Sequence, residues 1–159
     1  MAQLDLPPGL LPSLKDRLLD PESMGTLAQP GYTLTQVLDS VREDLEELLN
    51  TRRSLQVLAT QFPELARSTA TFGLRDLTSI GGATAGKQEE IARMIEKAIT
   101  LHEPRLNNVR AKVVKSRAVE LRLRYHIEAV LRVDPAPAVA FETVVELTTG
   151  HVSVREGTG

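Results

Sequence analysis

The stretch GGATAGKQ, Gly81 to Gln88, has the spacing Gly, four residues, Gly-Lys, which is the front of a phosphate-binding loop. Such a loop needs a buried strand feeding it, a helix starting at the lysine, and a hydroxyl after the lysine to hold magnesium. Gln88 stands where the hydroxyl should be, and an amide is a poor magnesium ligand. LTSI, just before the loop, is too short to read as the feeding strand. AVLRVD ends in Asp134 and would supply the second acid, but it carries charge at alternate positions, whereas nucleotide-binding sheets are buried on both faces. The stretch therefore reads as a connector that launches a helix, with Thr84 at its N-cap and no nucleotide bound.

Other chemistry is sparsely provided. His102, His126 and His151 are the only histidines, none pairs at helical ligand spacing, and cysteine is absent. No metal centre, thiol nucleophile or Ser-His-Asp arrangement is nominated, and no cofactor is expected. Carboxylates are plentiful, but glycosidase chemistry needs two of them in a groove, and aromatic residues make up only 3% of the chain, with no tryptophan.

HEPR, His102 to Arg105, does ask for explanation. Glu103 falls at the carbonyl end of a predicted helix, where negative charge is disfavoured unless a cation meets it. Arg105 is two positions on, and Arg52 and Arg53, closing the other predicted helix, are further candidates. The corner is either a local ion pair shaping a helix-to-strand junction or a rigid acid–base feature presented to a partner. From Arg105 to Arg124 seven cations face one acid, Glu120, a local balance of +6 on a chain of net charge −2. These cations fall mostly on even positions, which predicts a basic sheet face balanced by an acidic helix, or simply a solvated surface.

The elements that must position these residues are legible. With 159 residues, 42% hydrophobic and 25% charged, the chain is long enough for one globular core. It offers no apolar run of the roughly 20 residues a membrane helix needs, so membrane insertion is not expected. The N-terminus, MAQLDLPPGLLPSL, has no basic start or long apolar run, so no signal peptide is expected. Net charge and scarce aromatics likewise argue against nucleic acid. Residues 1–32 hold five prolines around one short helical stretch, SLKDRLL, whose Ser13 and Asp16 have capping spacing and whose Leu14, Leu18 and Leu19 share a face. They read as an N-terminal arm.

Residues 33–156 then form a single domain, with 157–159 as a tail. Thr33 and Gln36 form a capping box, followed by the stripe Leu34, Val37, Leu38, Val41, Leu45, Leu48 and Leu49. Asp39, Glu43, Asp44, Glu46 and Glu47 occupy the opposite, solvated face. A short helical turn is expected around PELARST. A second helix carries Ile91, Met94, Ile95, Ala98 and Ile99 on its apolar side and stops at Pro104. From there on period-two alternation dominates, clearest between Leu121 and Val133. The fold class is α+β: two main helices packed on one face of a 3–4-stranded antiparallel β-meander, with an N-terminal arm. HVSVRE closes the chain as an edge strand whose backbone groups suit addition of a further strand.

The segments SVREDLEELLNTRR, FPELARSTATFGLRDLTS, HEPRLNNVRAKV and LRYHIEAVLRVDPAPAVAFETVVEL, in this order and spacing, resemble the gene-25-like baseplate proteins of contractile injection machines. The likeness runs over about residues 11–156. LLNTRR and FGLRDL are more similar to the TssE subunits of type VI secretion baseplates than to phage relatives. Arg75 departs from the pattern, where many relatives have proline, and the tryptophan often found after the Arg-Arg pair is absent.

The resemblance implies a structural subunit that joins the baseplate wedge to the contractile sheath and starts sheath polymerisation. Implied partners are the wedge subunits TssF, TssG and TssK and the sheath subunits TssB and TssC. The implied location is cytoplasmic, in a baseplate at the inner face of the cytoplasmic membrane. The family's Glu-Pro-Arg motif corresponds to Glu103, Pro104 and Arg105 and would anchor the subunit to the wedge's helical core, with Arg52 and Arg53 supporting it. Strand exchange with the sheath would use the edge Val152, Ser153, Val154 and Arg155. The family's older lysozyme-like label implies the alternative of a cell-wall glycosidase using Glu103, although no enzymatic activity is expected.

Overall fold

Helix α1, Leu34–Asn50, starts where the capping box predicts. The Thr33 N–H donates to Gln36 Oε1 (2.8 Å), and the Gln36 N–H donates back to Thr33 Oγ1 (3.3 Å), satisfying donors that the first turn leaves free. The structure, a computed structural model, describes residue 18 and residues 33–53, 62, 64–65, 68–78, 84–114, 122–134 and 136–157. It divides into two compact units, Met1–Val41 and Arg42–Gly159, the division falling inside α1. In the first unit Leu18 is helical and exposed; the rest of the arm lies outside the described residues. Along α1, Val37, Val41, Leu45, Leu48 and Leu49 are buried. Leu34, expected on that stripe, is the first helical residue and stands exposed, so burial starts one turn later.

Beyond Asn50 the second unit turns sharply. The Leu74 N–H donates to the Thr51 carbonyl (2.8 Å) and the Arg53 N–H to the Leu74 carbonyl (2.7 Å), a parallel bridge between distant segments. Gly73 makes this possible. Its φ is +105°, and a Cβ there would sit 2.3 Å from the Thr51 oxygen, so no other residue fits. The turn expected around PELARST is described only at Glu64, Leu65, Ser68 and Thr69; a 3-10 turn follows over Thr69–Thr71.

Helix α2, Ala85–His102, begins inside the phosphate-loop look-alike. Thr84 is the N-cap residue through its carbonyl, which accepts the Lys87 and Gln88 N–H groups; its side chain makes no capping bond. The Gln88 carbonyl accepts the hydroxyl of buried Tyr125 (3.3 Å), so this end of the helix is tied to the sheet. Gly81 to Ala83 lie outside the described residues. The buried side is Ile91, Ala92, Ile95, Ala98 and Ile99, with Ala92 in the place expected for half-buried Met94.

Four strands follow as an antiparallel meander in the order β1-β2-β3-β4: Leu106–Val114, Arg122–Leu131, Ala138–Glu146 and Val152–Glu156. On β2, Leu123, Tyr125, Ile127, Ala129 and Leu131 are buried, as alternation predicts. With Phe141, Val145, Val152 and Val154 they form the face covered by helices, each large side chain contributing about 1.5–3 kcal/mol on burial. Strand β1 changes phase. Asn108 adopts φ 53° in a bulge between Asn107 and Arg110, so Leu106 and Val109 both point inward.

The outer face departs from the basic surface expected of it. Register sets Glu146 opposite Arg122 and Glu142 opposite His126. Pairs then form across the strands: Lys112–Glu128 (2.7 Å), Arg122–Glu146 (3.0 Å) and His126–Glu142 (3.2 Å). Two cations of the run that a linear reading isolates, Lys112 and Arg122, thus meet glutamates of β2 and β3. These are exposed pairs, each worth about 0–1 kcal/mol.

Candidate functional site

The HEPR corner is built by a helix ending and a turn closing. The Glu103 N–H donates to the Ile99 carbonyl (2.8 Å), finishing α2. Pro104 occupies the second position of a turn closed by the Leu106 N–H on the Glu103 carbonyl (3.2 Å), a place its fixed φ suits. The Arg105 carbonyl then accepts the Arg132 N–H (2.8 Å), which anchors the corner to the far end of β2.

Within this frame Glu103 is buried, at 5% exposure, and its carboxylate is engaged by the turn itself. Oε1 accepts the Arg105 backbone N–H (3.0 Å) and Nε–H (2.8 Å), and Oε2 accepts Nη2–H (2.6 Å). This two-point contact explains how a negative charge survives at a helix carbonyl end. The Arg105 Nη2 also donates to Asp44 Oδ2 of α1 (2.5 Å). Burial by itself would lower the Arg105 pKa, but the bonds and charges of Glu103, then Asp44, outweigh it and hold the group above its ordinary value. One guanidinium thus joins the two helices.

Several expectations change here. Asp44, assigned to the solvated face of α1, is instead half-buried and part of the corner. Among the described residues Arg52 and Arg53 do not meet Glu103. Arg52 reaches the Thr149 carbonyl (3.4 Å) and Asp76 (4.0 Å), while Arg53 lies beside Gly73, Leu74 and Arg75. Glu103 is not displayed; Pro104 is the exposed member of the motif, and the Arg105 side chain is 28% exposed. Both oxygens of Glu103 are taken up by Arg105, and Asp44 shares the same guanidinium, so this buried carboxylate is engaged inside the corner rather than presented on the surface.

His102, one residue earlier, packs its ring edge-on against Phe72 (5.5 Å between centroids). Its Nε2 meets the Thr71 carbonyl at 3.1 Å and therefore carries the proton, since a carbonyl oxygen only accepts. Burial pushes the His102 pKa below its ordinary value. No group of His, Asp or Glu among the described residues is arranged to hold a metal ion.

The β4 edge is the second place of interest. Val152 and Val154 are buried, Ser153 is half-buried and Arg155 is exposed. Val152 meets the side chain of Asn50, at the end of α1, through both its N–H (2.9 Å) and its carbonyl (2.7 Å). On the outer face beside β4 lies an open concavity of about 590 Å³ lined by Arg122, Arg124, Glu142, Glu146 and Arg155 among others.

Residues 35–136 match the family model described as baseplate wedge protein gp25. The chain belongs to that family. The match spans α1, the corner and β1 to β2, so the baseplate wedge protein fold includes every residue of the corner. No curated protein matches the chain. Solved structures are similar as well, among them these two. One is a chain of the baseplate complex from the type VI secretion system, at 18% identity and TM-score 0.48, covering 70% of this chain and 95% of its own. The other, assigned as a tail lysozyme from Geobacter sulfurreducens, has 19% identity and TM-score 0.47, covering 81% of this chain and 98% of its own.

Asp44 and Asn50 are the residues of these two sites that sequence reading missed. Asp44 had one usable signal. It lies one position before buried Leu45, at the border of the apolar stripe rather than at the centre of the acidic face. Asn50 carried none, because its partner is 102 residues away.

Proposed function

We propose that this baseplate wedge protein is a type VI secretion subunit of the TssE kind, which joins the wedge to the contractile sheath and provides the first strand acceptor for sheath polymerisation. Its location would be a cytoplasmic baseplate at the inner face of the membrane; among the described residues no helix is long and apolar enough to cross one. The observation that carries the reading is the β4 edge. β4 ends the sheet, its inward side chains are buried, and its outward backbone offers the donors and acceptors that strand addition needs. The likeness of LLNTRR and FGLRDL to TssE subunits supports the type VI branch.

The wedge partners proposed are TssF, TssG and TssK, and the sheath partners TssB and TssC. The corner suits a wedge contact because it is rigid, exposes Pro104, and leaves part of the Arg105 guanidinium accessible. The test is co-purification of the tagged protein with these subunits. Val154→Pro should abolish capture of TssB and TssC while TssF and TssG are retained, and Pro104→Ala should do the reverse. Sheath assembly that proceeds normally with Val154→Pro, in a protein verified as folded, would sink the proposal.

A further inference from the structure

The backbone of β4 alternates in direction. Bonds from Glu146 N–H to the His151 carbonyl and from Gly157 N–H to the Ala140 carbonyl, both 2.8 Å, fix which residues turn toward β3. With the register Val145↔Val152 to Phe141↔Glu156, His151, Ser153, Arg155 and Gly157 face β3, and Val152, Val154 and Glu156 face the open side. The first of these outward positions is occupied. Asn50 Oδ1 accepts the Val152 N–H (2.9 Å), and Asn50 Nδ2 donates to the Val152 carbonyl (2.7 Å) and to the Glu46 carbonyl of its own helix (2.8 Å). A carboxamide bound to both backbone groups of one residue supplies what a neighbouring strand would supply, and both of its donor hydrogens and its oxygen are used. Among the described residues none bonds the outward backbone groups of Val154 or Glu156.

We infer that Asn50 is a register stop for strand addition at β4. The inference rests on the strand-acceptor reading above. A one-residue slip of an added strand would turn its side chains to the wrong faces, so the pleat already disfavours it. A two-residue slip keeps the faces and is the competing register. Toward His151 that slip needs the outward N–H and carbonyl of Val152, which the Asn50 amide holds. The occupant is an extended segment of the sheath subunit, pairing with Val154 and Glu156 and ending against Asn50, with its pairing residues two apart and not proline.

Amide-resolved hydrogen–deuterium exchange on the full chain, free and with purified TssB and TssC, tests this. In the free protein the Val152 amide should exchange at least tenfold more slowly than those of Val154 and Glu156. With the sheath subunits Val154 and Glu156 should slow and Val152 stay unchanged. In Asn50→Ala the free Val152 amide should exchange as fast as Val154 and become protected only on binding. Asn50→Ser guards against a folding defect, because its hydroxyl can bond the Glu46 carbonyl as Thr51 bonds Glu47 and Thr100 bonds Glu96, while releasing Val152. A fast Val152 amide in the free wild type, or bound protection still starting at Val154 in both variants, would overturn the register stop alone. Failure of Val154 and Glu156 to slow, with Val152 slow in the free protein, would overturn the strand-acceptor reading and the stop with it.

Discussion

The two edges of the sheet are finished in opposite ways. On the β1 side the chain closes on itself with charge. Glu103, Arg105 and Asp44 form one ionic cluster at the start of β1, and Glu96 of α2 accepts the Ala111 N–H (2.9 Å) further along. On the β4 side the tie is neutral: one asparagine amide holds Val152, and among the described residues none bonds the outward backbone beyond it. An edge that must stay monomeric is covered. Under the strand-acceptor proposal the free length of β4 is where a strand would add, so the contrast would separate the part of the sheet that shapes the molecule from the part that binds.

Breaking the ionic side should have the largest effect. Arg105→Ala leaves the buried Glu103 carboxylate without its cation and removes the link to Asp44. Partial exposure of Arg105 and Asp44 moderates the loss, so about 3 kcal/mol of stability is expected in a urea titration. A loss below about 1 kcal/mol would mean the corner is not the main fastening of the two helices.

Asn50→Ala comes next. It removes both bonds to Val152 and the one to Glu46, but the backbone groups released at β4 can meet water, so about 1–2 kcal/mol is expected by the same measurement. If it costs as much as Arg105→Ala, the two sides are equally structural and the contrast fails. Glu156→Pro should leave stability within about 0.5 kcal/mol, since Glu156 is exposed and its N–H faces the open side. Loss of sheath capture with an unchanged urea midpoint would sharpen the distinction.

The smallest effect belongs to His102, beside the corner. Its folded pKa lies below the unfolded value of about 6.5, so the unfolded chain takes up the proton first. The contribution is present above pH 6.5 and is lost as the pH falls from there toward the folded pKa. Thermal melts at pH 7.5 and 5.5 should show a lower midpoint at the acid value. In His102→Gln, which can still donate to Thr71, that difference should shrink.

Local features were legible because they arise between near neighbours. Thr33 and Gln36 cap a helix three residues apart, Pro104 stops one, and alternation along β2 exposes its buried face without any partner in view. The cation expected near Glu103 was found two residues on, at Arg105, because a turn with Pro104 at its second position folds the guanidinium back. Arg52 and Arg53 were plausible for the same post, but the parallel bridge with Leu74 carries them away from it. The basic sheet face read from Arg105 to Arg124 could not be judged from that run alone, since Glu142 and Glu146 enter it only through the register of β3.

By itself, then, the sequence determined the α+β class, the start of α1, the stop of α2 and the meander, through capping, proline and periodicity, each acting within a few residues. Helix α1, by contrast, ends at Asn50, before the Arg52 and Arg53 expected to close it. Tertiary structure decided the rest. It brought Asp44 to Arg105 across 61 residues and Asn50 to Val152 across 102, and it buried Glu103. Such contacts depend on how α1 lies relative to the strands, and no spacing within one segment records that geometry. The physical reason is range: a hydrogen bond acts over about 3 Å in space, and only the assembled fold brings such distant residues that close.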